Sequence, residues 1–305
     1  MVPEEAKTGS GRPPRQVSLA RLAEFGVTPR RSLGQNFLID DNIIGVIIDR
    51  LQARPGDVAL EVGAGLGVLT RALAMVTAHV HAFEIDRRLE APLRATLAEL
   101  DAQMPGAAGG VSLYFADVLA HPLEDLVPPP TVCASNLPYA PAAPFLGEAL
   151  ERLPGVRRYC VMVQKEIADR LASPPGRKSY GGLSVWVQLH ARIVDIRPLS
   201  RAIFHPRPNV DSSLVTLERR VRDPLVERYP ALVRRVVEGA FSQRRKRMVN
   251  ALGAALGLSR EQLLMLLERA GLGTAVRAEE VPPEGFVALC SGLLELLPPD
   301  APAVC

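Results

Sequence analysis

The chain has 305 residues, of which 48% are hydrophobic and 23% charged, proportions typical of a globular protein with a sizeable core. This length predicts two domains and excludes a wholly disordered chain or a small disulfide-stapled scaffold. The four cysteines form no C-x-x-C pair, so we interpret them as reduced thiols and predict no metal site. The sequence has no apolar run of about 18 residues and no signal peptide, so we expect a soluble, cytoplasmic protein without a membrane partner.

The net charge of +3 comes from 36 basic and 33 acidic side chains and is too small to indicate a polyanionic partner. Its distribution is uneven, because residues 218–270 hold twelve basic and six acidic side chains. The rest of the chain therefore carries a charge of −3. A mildly acidic main part with a basic C-terminal segment is compatible with nucleic-acid binding, although runs of charged residues commonly serve solubility.

Residues 1–17 are rich in Pro, Gly and charge and lack periodicity, which predicts a disordered tail. Residues 18–217 alternate short apolar runs with helical patterns, as βαβ units require. The predicted strands are 58–62, 80–84, 112–115, 131–134, 159–163 and 213–217, and the helical patterns between them include 43–51, 69–75 and 89–100. This alternation predicts an α/β domain with a doubly wound, mostly parallel, Rossmann-like sheet that binds ligands at the carboxyl ends of its strands.

A glycine-rich turn, Glu61-Val62-Gly63-Ala64-Gly65-Leu66-Gly67, follows the first of these strands. Glycines let the backbone turn sharply and approach a ligand closely. Val68 stands where the dinucleotide pattern needs a glycine, and the sequence contains no triphosphate-binding loop. The spacing of Gly63, Gly65 and Gly67 instead favours S-adenosylmethionine, a cofactor without phosphates.

Acidic residues follow the next two strands. Glu84, which precedes Ile85, lies 21 positions after Gly63, about the spacing at which a carboxylate meets ribose hydroxyls. Asp117 is a candidate acceptor for an adenine amine. Taken singly, each acid is more commonly a solvated loop residue or a helix cap. Together with the glycine turn they predict a nucleotide site at one edge of the sheet.

Asn136-Leu137-Pro138-Tyr139 follows the fourth strand and is the most specific signal in the chain. An exocyclic aromatic amine is a poor nucleophile because its lone pair is delocalised into the ring. The Asn136 side-chain oxygen and the Leu137 carbonyl can accept both amine hydrogens and so free the lone pair for attack on a methyl group. Pro138 fixes the loop, and Tyr139 offers a stacking face. The alternative is an ordinary Pro-containing turn with an Asx cap.

The target adenine must be single-stranded or flipped out, because a duplex hides its amine. Phe204 is a candidate second stacking face, although it equally fits a core aromatic residue before a Pro-rich loop. His79 and His81 have no plausible metal partners, and we interpret them as structural.

After residue 218 the strand patterns end. Ser259 and Gln262 form a predicted capping box before a helix over 263–269, and Gly271 stands where a helix C-terminus belongs. Other helical patterns cover 231–253 and 286–297. Residues 218–305 are therefore predicted to form a small, all-helical C-terminal domain.

A run of basic residues lies within the predicted helix over 231–253. Four successive helical residues cover about 300° of arc and cannot all lie on one solvated face. We therefore predict that the run reaches a groove between the domains and contacts RNA phosphates. The predicted RNA-binding residues are Arg244, Arg245, Lys246 and Arg247, extended by Arg177 and Lys178 in an earlier loop.

Several of these motifs, in one order, resemble the rRNA adenine N6,N6-dimethyltransferase family, especially its small-subunit branch, which dimethylates two adjacent adenosines near the 3′ end of 16S rRNA. The resemblance runs from about residue 33 to residue 250. It includes 33–38, the glycine turn, Glu84, Asp117, 136–139, 164–166, 180–181, 204–212 and the pattern from Phe241 to Asn250.

This resemblance implies an S-adenosylmethionine-dependent enzyme acting on 16S rRNA during assembly of the small ribosomal subunit. The implied cofactor-binding residues are Asn36, Leu38, Gly63, Gly65, Glu84, Ile85, Asp117 and Asn136. The implied target-binding residues are Asn136, Leu137, Tyr139 and Phe204. Ala64 replaces the proline usual in the family, which we expect to loosen the turn, and residues 140–143 replace a more polar stretch beside the target pocket.

Two alternative functions are open on the sequence. A 23S rRNA adenine N6-methylase of the macrolide-resistance type shares the N-terminal motifs, although the 244–250 signature argues against it. A non-catalytic RNA-binding assembly factor would share the fold, but the intact Glu84 and 136–139 motifs favour retained catalysis. We expect a monomer.

Overall fold

The computed structural model describes residues 17–243 and 246–296. In this part of the chain the strands are β1 (Phe37–Leu38), β2 (Val58–Val62), β3 (His79–Phe83), β4 (Val111–Tyr114), β5 (Val132–Asn136), β6 (Arg158–Gln164), β7 (Ala191–Leu199), β8 (Phe204–His205) and β9 (Ser212–Arg219). The α-helices are α1 (Val17–Glu24), α2 (Asp41–Leu51), α3 (Val68–Ala74), α4 (Glu90–Gln103), α5 (Ala142–Arg152), α6 (Lys165–Leu171), α7 (Gly182–His190), α8 (Pro224–Arg228), α9 (Pro230–Phe241), α10 (Met248–Leu256), α11 (Arg260–Arg269) and α12 (Pro283–Leu296).

The main sheet has seven strands in the order β4-β3-β2-β5-β6-β9-β7. The five strands from β4 to β6 are parallel, whereas β9 runs antiparallel to both β6 and β7. The chain runs outward from β2 to β4 on one side and from β5 to β6 on the other. The switch point therefore lies between β2 and β5, where ligands bind in open α/β sheets. The predicted doubly wound, mostly parallel sheet is confirmed.

Burial explains why the central strands form where they do. Every residue of β2 is buried, as are four of the five residues of β3, because helices cover both faces of a parallel sheet. A hydrophobic core lies on each face of the sheet. One core includes Leu60 and Phe145, and the other includes Ile47 and Leu73. The strand patterns in the sequence reflect this two-sided burial.

The sequence analysis missed β7, the edge strand of the main sheet. It pairs only with β9, and its register shifts between Ile193 and Asp195. Exposed charged residues such as Arg192 and Arg197 interrupt its apolar residues. An edge strand has one solvated face and a bulge that breaks the alternation, so it lacks the continuous apolar run that marks the buried strands.

The C-terminal helices form a separate core that also takes in Tyr180, Val185 and Trp186, so α7 packs against them. The capping box of Ser259 and Gln262 is confirmed at the start of α11, and Gly271 follows this helix with a φ of 69°. No helix in residues 17–243 and 246–296 is long and apolar enough to cross a membrane.

The prediction of one helical pattern over 231–253 is wrong in its middle. α9 ends at Phe241 and α10 begins at Met248, and the two helices cross so closely that a Cβ on Gly239 would lie 2.5 Å from Ala255 Cβ. A continuous helix could not fold back to bury this contact. Lys246 and Arg247 consequently lie in the connection, and the argument from helical arc does not apply to them.

Candidate functional site

The glycine turn joins β2 to α3 and uses backbone conformations that favour glycine. Gly63, Gly65 and Gly67 have φ values of 79°, 58° and 80°, in the left-handed region. A Cβ on Gly63 would lie 3.1 Å from Pro138 Cδ and 3.2 Å from the Asn136 carbonyl oxygen. Glycine at this position therefore lets the turn after β2 approach the turn after β5.

Ala64 does not loosen this turn in the way we expected. Its N–H donates to the Phe83 carbonyl at 3.0 Å, and the Gly63 N–H donates to the same oxygen at 2.8 Å. A proline has no N–H to donate. Alanine thus adds a hydrogen bond between the turn and the end of β3.

Glu84 follows β3 and faces the glycine turn. The side chain is 6% exposed, Oε2 accepts from the Gly65 N–H at 2.8 Å, and Oε1 accepts from the Asp86 N–H at 2.8 Å. Burial raises the pKa of Glu84 above its ordinary value, while these backbone donors oppose the rise. Each carboxylate oxygen has a second lone pair, so Glu84 is held in place and can still accept hydrogen bonds from a ligand.

Glu61, the first residue of the glycine motif, is a site residue that the sequence analysis did not single out. It is buried, and its Oε2 has no hydrogen-bond partner in the described part of the chain. Burial raises the pKa of Glu61 to about 8, the nearby Thr70 hydroxyl opposes the rise, and the Glu84 carboxylate adds to it. A glutamate inside an otherwise apolar strand is the signal that could have found it, because a buried unpaired carboxylate is costly.

Asn136 ends β5 beside the glycine turn. Its Nδ2 donates to the Asn36 carbonyl oxygen at 2.9 Å, which fixes the amide orientation and leaves Oδ1 as the acceptor. The Asn36 side chain in turn donates to the Gly34 carbonyl oxygen at 2.9 Å. The segment before β1 therefore closes over the turn that follows β5.

Tyr139 is held by a residue from another strand. Its hydroxyl lies 3.2 Å from Ser212 Oγ, and Ser212 is a buried residue at the start of β9. This hydrogen bond restricts the orientation of the Tyr139 ring. The sequence analysis included Ser212 in the 204–212 stretch but gave it no role.

A cleft that is open to solvent lies between these turns. Its lining includes Asn36, Gly63, Gly65, Glu84, Ile85, Asn136, Leu137 and Tyr139. A cavity of about 990 Å³ shares part of this lining and adds Asp117, and a third of about 360 Å³ adds Leu38 and Glu61. The structure therefore brings together every predicted cofactor residue from five separate segments of the chain.

Phe204 is the predicted target-binding residue that does not line these three cavities. It is 4% exposed and lies in β8 opposite Leu38 of β1, within the core. In this arrangement it is the core aromatic residue that the sequence analysis gave as the alternative. Its stacking role stays a prediction, since a base would reach the ring only after it is uncovered.

Asp117 both caps a helix and lines a cavity, so the helix-cap interpretation from the sequence does not exclude a position beside a ligand. Its Oδ1 accepts from the Leu119 N–H at 3.0 Å and caps a short 3-10 helix. The residue is exposed and also lines the larger cavity, near Ile85. A capping carboxylate keeps a second oxygen that can meet a ligand.

The predicted RNA-binding residues are exposed where the structure describes them. Arg177, Lys178, Lys246 and Arg247 are all solvent-accessible, whereas Arg244 and Arg245 lie outside the described residues. In residues 17–243 and 246–296, no three His, Cys, Asp or Glu side chains are arranged to hold a metal ion. His81 instead makes hydrogen bonds to the Tyr114 hydroxyl and the Pro128 carbonyl oxygen.

The chain matches the family model of the ribosomal RNA adenine dimethylases over residues 26–293. It is 41% identical over 267 residues to a ribosomal RNA small subunit methyltransferase A from Streptomyces coelicolor, covering 88% of this chain and 92% of that protein. A protein of the same name from Moorella thermoacetica is 38% identical over 275 residues, covering 89% and 95%.

Solved structures show the same fold. A dimethyladenosine transferase from Plasmodium falciparum is 21% identical with a TM-score of 0.69, and the match covers 83% of this chain and 95% of that one. The 23S rRNA methyltransferase ErmE is 26% identical with a TM-score of 0.60, covering 85% and 99%.

Proposed function

Because the chain belongs to the ribosomal RNA adenine dimethylase family, we propose that it dimethylates N6 of two adjacent adenosines near the 3′ end of 16S rRNA during assembly of the small ribosomal subunit. It is an S-adenosylmethionine-dependent enzyme with ribosomal RNA as its substrate. The small-subunit assignment draws support from relatives named for that subunit, which align with 88% and 89% of this chain.

The residues around the glycine turn fit S-adenosylmethionine, which when bound supplies an electrophilic methyl group. The Glu84 carboxylate, fixed by two backbone N–H groups, suits a pair of ribose hydroxyls. The unpartnered Glu61 oxygen suits a cationic group. Gly63 and Gly65 allow the turn to pack closely against the 136–138 turn and Phe37, which line the same cleft. The proposed cofactor-binding set is Asn36, Leu38, Gly63, Gly65, Glu84, Ile85, Asp117 and Asn136.

The single observation that carries the chemistry is the orientation of the Asn136 amide. Because Nδ2 donates to the Asn36 carbonyl, Oδ1 is the atom that accepts an amine hydrogen from the target adenine. The Leu137 carbonyl accepts the second hydrogen. Together these acceptors localise the nitrogen lone pair. Tyr139 stacks on the base, and Ser212 fixes the orientation of the Tyr139 ring. The rate enhancement then comes from positioning and electrostatics, and the proton leaves nitrogen after methyl transfer.

The remaining assignments follow from position and charge. Phe204 is proposed to stack on the second face of the adenine. Contacts to RNA phosphates are assigned to Arg177, Lys178, Lys246 and Arg247 together with Arg244 and Arg245. Exposed guanidinium and ammonium groups of this kind supply affinity without reading sequence.

The test is methyl transfer from labelled cofactor to undermethylated small subunits, followed by mapping of the modified nucleotides. The wild-type chain should modify two adjacent adenosines, and Asn136→Ala should abolish transfer while leaving the fold and most of the cofactor affinity intact. Wild-type turnover by Asn136→Ala would refute the amine-polarising role. Calorimetry with the cofactor shows whether a loss of transfer comes from a loss of binding.

Primer extension on both 16S and 23S rRNA tests the nearest alternative, a 23S rRNA methylase. Modification confined to 23S rRNA would overturn the small-subunit assignment. A chain that binds small subunits but not the cofactor would instead be a non-catalytic assembly factor.

We also propose that the protein works as a monomer in the cytoplasm. Cys133, Cys160 and Cys290 are buried free thiols, which suits a reducing compartment. Sedimentation of the purified chain tests the oligomeric state.

A further inference from the structure

A surface groove runs between α6, the start of α7 and the end of α9. Two cavities of about 1150 and 1030 Å³ form it, and both are lined by Arg170, Gly182 and Phe241. The second cavity extends along α5 to Ala143, two residues after Pro141 in the lining of the candidate active site. The groove therefore begins one helical turn from the loop that carries Tyr139.

The groove presents an aromatic ring that its neighbours hold in place. The Phe241 ring lies 6.1 Å from the Tyr180 ring in an edge-to-face contact and 5.8 Å from the Phe286 ring in a stacked contact. Gly181 and Gly182 leave the adjacent floor without side chains, and a Cβ on Gly181 would meet nothing within 4 Å. A flat ligand can therefore reach Phe241 across the glycines.

Arg170 is the cation best placed to act there. Its side chain lines both cavities and forms no ion pair with any residue in 17–243 or 246–296. Arg234, by contrast, stacks on Trp186 at 4.7 Å and pairs with Glu148 and Glu151.

Acidic side chains also line the groove. The lining holds as many acidic as basic side chains: Glu148, Glu166 and Glu238 against Arg170, Lys178 and Arg234. The groove therefore does not have the strong positive charge that would bind an RNA backbone by electrostatics alone. An aromatic face beside an unpaired guanidinium is instead the combination that recognises a single unpaired nucleotide, through base stacking and phosphate contact.

We propose that this groove binds an unpaired nucleotide of the RNA that flanks the target adenosine, with its base on Phe241 and its phosphate at Arg170. The proposal rests on the proposed function, because it places the strand that flanks the target adenosine along a groove that begins near the lining of the candidate active site.

The experiment is a titration of the full-length chain with a fluorescent RNA containing the target adenosines and their single-stranded flank, repeated over a salt series. Phe241→Leu should weaken binding at least about fivefold, the lower end of what stacking one base provides, with an unchanged salt slope. Phe241→Tyr should restore the affinity. Arg170→Gln should flatten the slope of log K against log salt by about 0.7, the value for one phosphate contact on a single strand.

Two further variants control for folding and for net charge. Gly181→Leu fills the groove without touching the Phe241 packing, because Gly181 has an extended backbone with open space beside it, and it should weaken RNA binding at an unchanged melting temperature. Arg192→Gln removes an exposed charge that pairs with Glu218 and lines neither cavity of the groove, and it should change neither affinity nor slope.

The results separate this proposal from the proposed function. The groove assignment alone would be overturned if the wild type methylates normally and the three groove variants keep the wild-type RNA affinity and salt slope. These variants are Arg170→Gln, Phe241→Leu and Gly181→Leu. A wild type that binds RNA in this pattern but methylates no adenosine would overturn the proposed function and leave the groove assignment standing.

Discussion

Replacing Glu61 with glutamine tests whether a buried carboxylate is kept in the cofactor site at a cost in stability. The side chain is fully enclosed and its Oε2 has no partner in the described residues. Burial raises the pKa of Glu61 from the ordinary 4.5 to about 8. The folded protein therefore binds this proton more tightly than the unfolded chain does.

The size of the effect follows from that shift. A raised carboxyl pKa contributes stability that is fully present below the unfolded pKa and is lost as the pH rises through the folded pKa. At about 1.4 kcal/mol per pH unit, the cofactor-free protein should lose about 3–4 kcal/mol between about pH 5 and pH 8 through this group. Glu61→Gln, which does not titrate, should lack this loss and be the more stable protein at pH 8.

The assay is urea unfolding of the cofactor-free protein at several pH values, with calorimetry of cofactor binding. Glu61→Gln should bind S-adenosylmethionine about 10- to 150-fold more weakly, as expected when a hydrogen bond to a charged group is removed. Glu90→Gln, which changes a partly exposed carboxylate paired with Arg94, serves as the control. Equal pH dependence in wild type and Glu61→Gln would refute the reasoning.

Three further outcomes follow from the site geometry. Gly63→Ala should reduce methyl transfer and the free energy of unfolding more than Gly26→Ala does. Both glycines have a left-handed φ, but only a Cβ at Gly63 would press on the 136–138 turn. Equal losses for the two variants in unfolding and turnover assays would contradict this contact. Tyr139→Phe and Ser212→Ala should each lower kcat/KM about 2- to 12-fold, the value of one hydrogen bond. The double variant should have a kcat/KM no lower than that of either single variant. Additive losses in this double-mutant cycle would show that the two residues act separately. Changing Lys246 and Arg247 together to glutamine should flatten the slope of log K against log salt for RNA binding by about 1.4, the value for two phosphate contacts on a single strand. An unchanged slope would show that these two residues do not contact the RNA.

Local patterns in the sequence were sufficient to predict the sheet and to place most residues of the candidate cofactor site. Strands buried on both faces leave continuous apolar runs, and the turns that follow them carry Gly63, Glu84, Asp117 and Asn136. Because parallel strands end at one edge, knowing that these residues follow strands is enough to place them together. The capping box at Ser259 was visible for the same reason, since its hydrogen bonds are local.

Contacts between distant segments were decided by the tertiary structure. Phe204 has the same local sequence whether its ring faces a ligand or the core, and only the pairing of β8 with β1 buries it. The break between α9 and α10 depends on the close approach of Gly239 to Ala255, which no periodicity encodes. The sequence by itself therefore determined which residues lie at the carboxyl edge of the sheet, because that follows from strand direction. Tertiary packing decided which side chains are exposed, paired or oriented there, because burial depends on what the rest of the chain places against them.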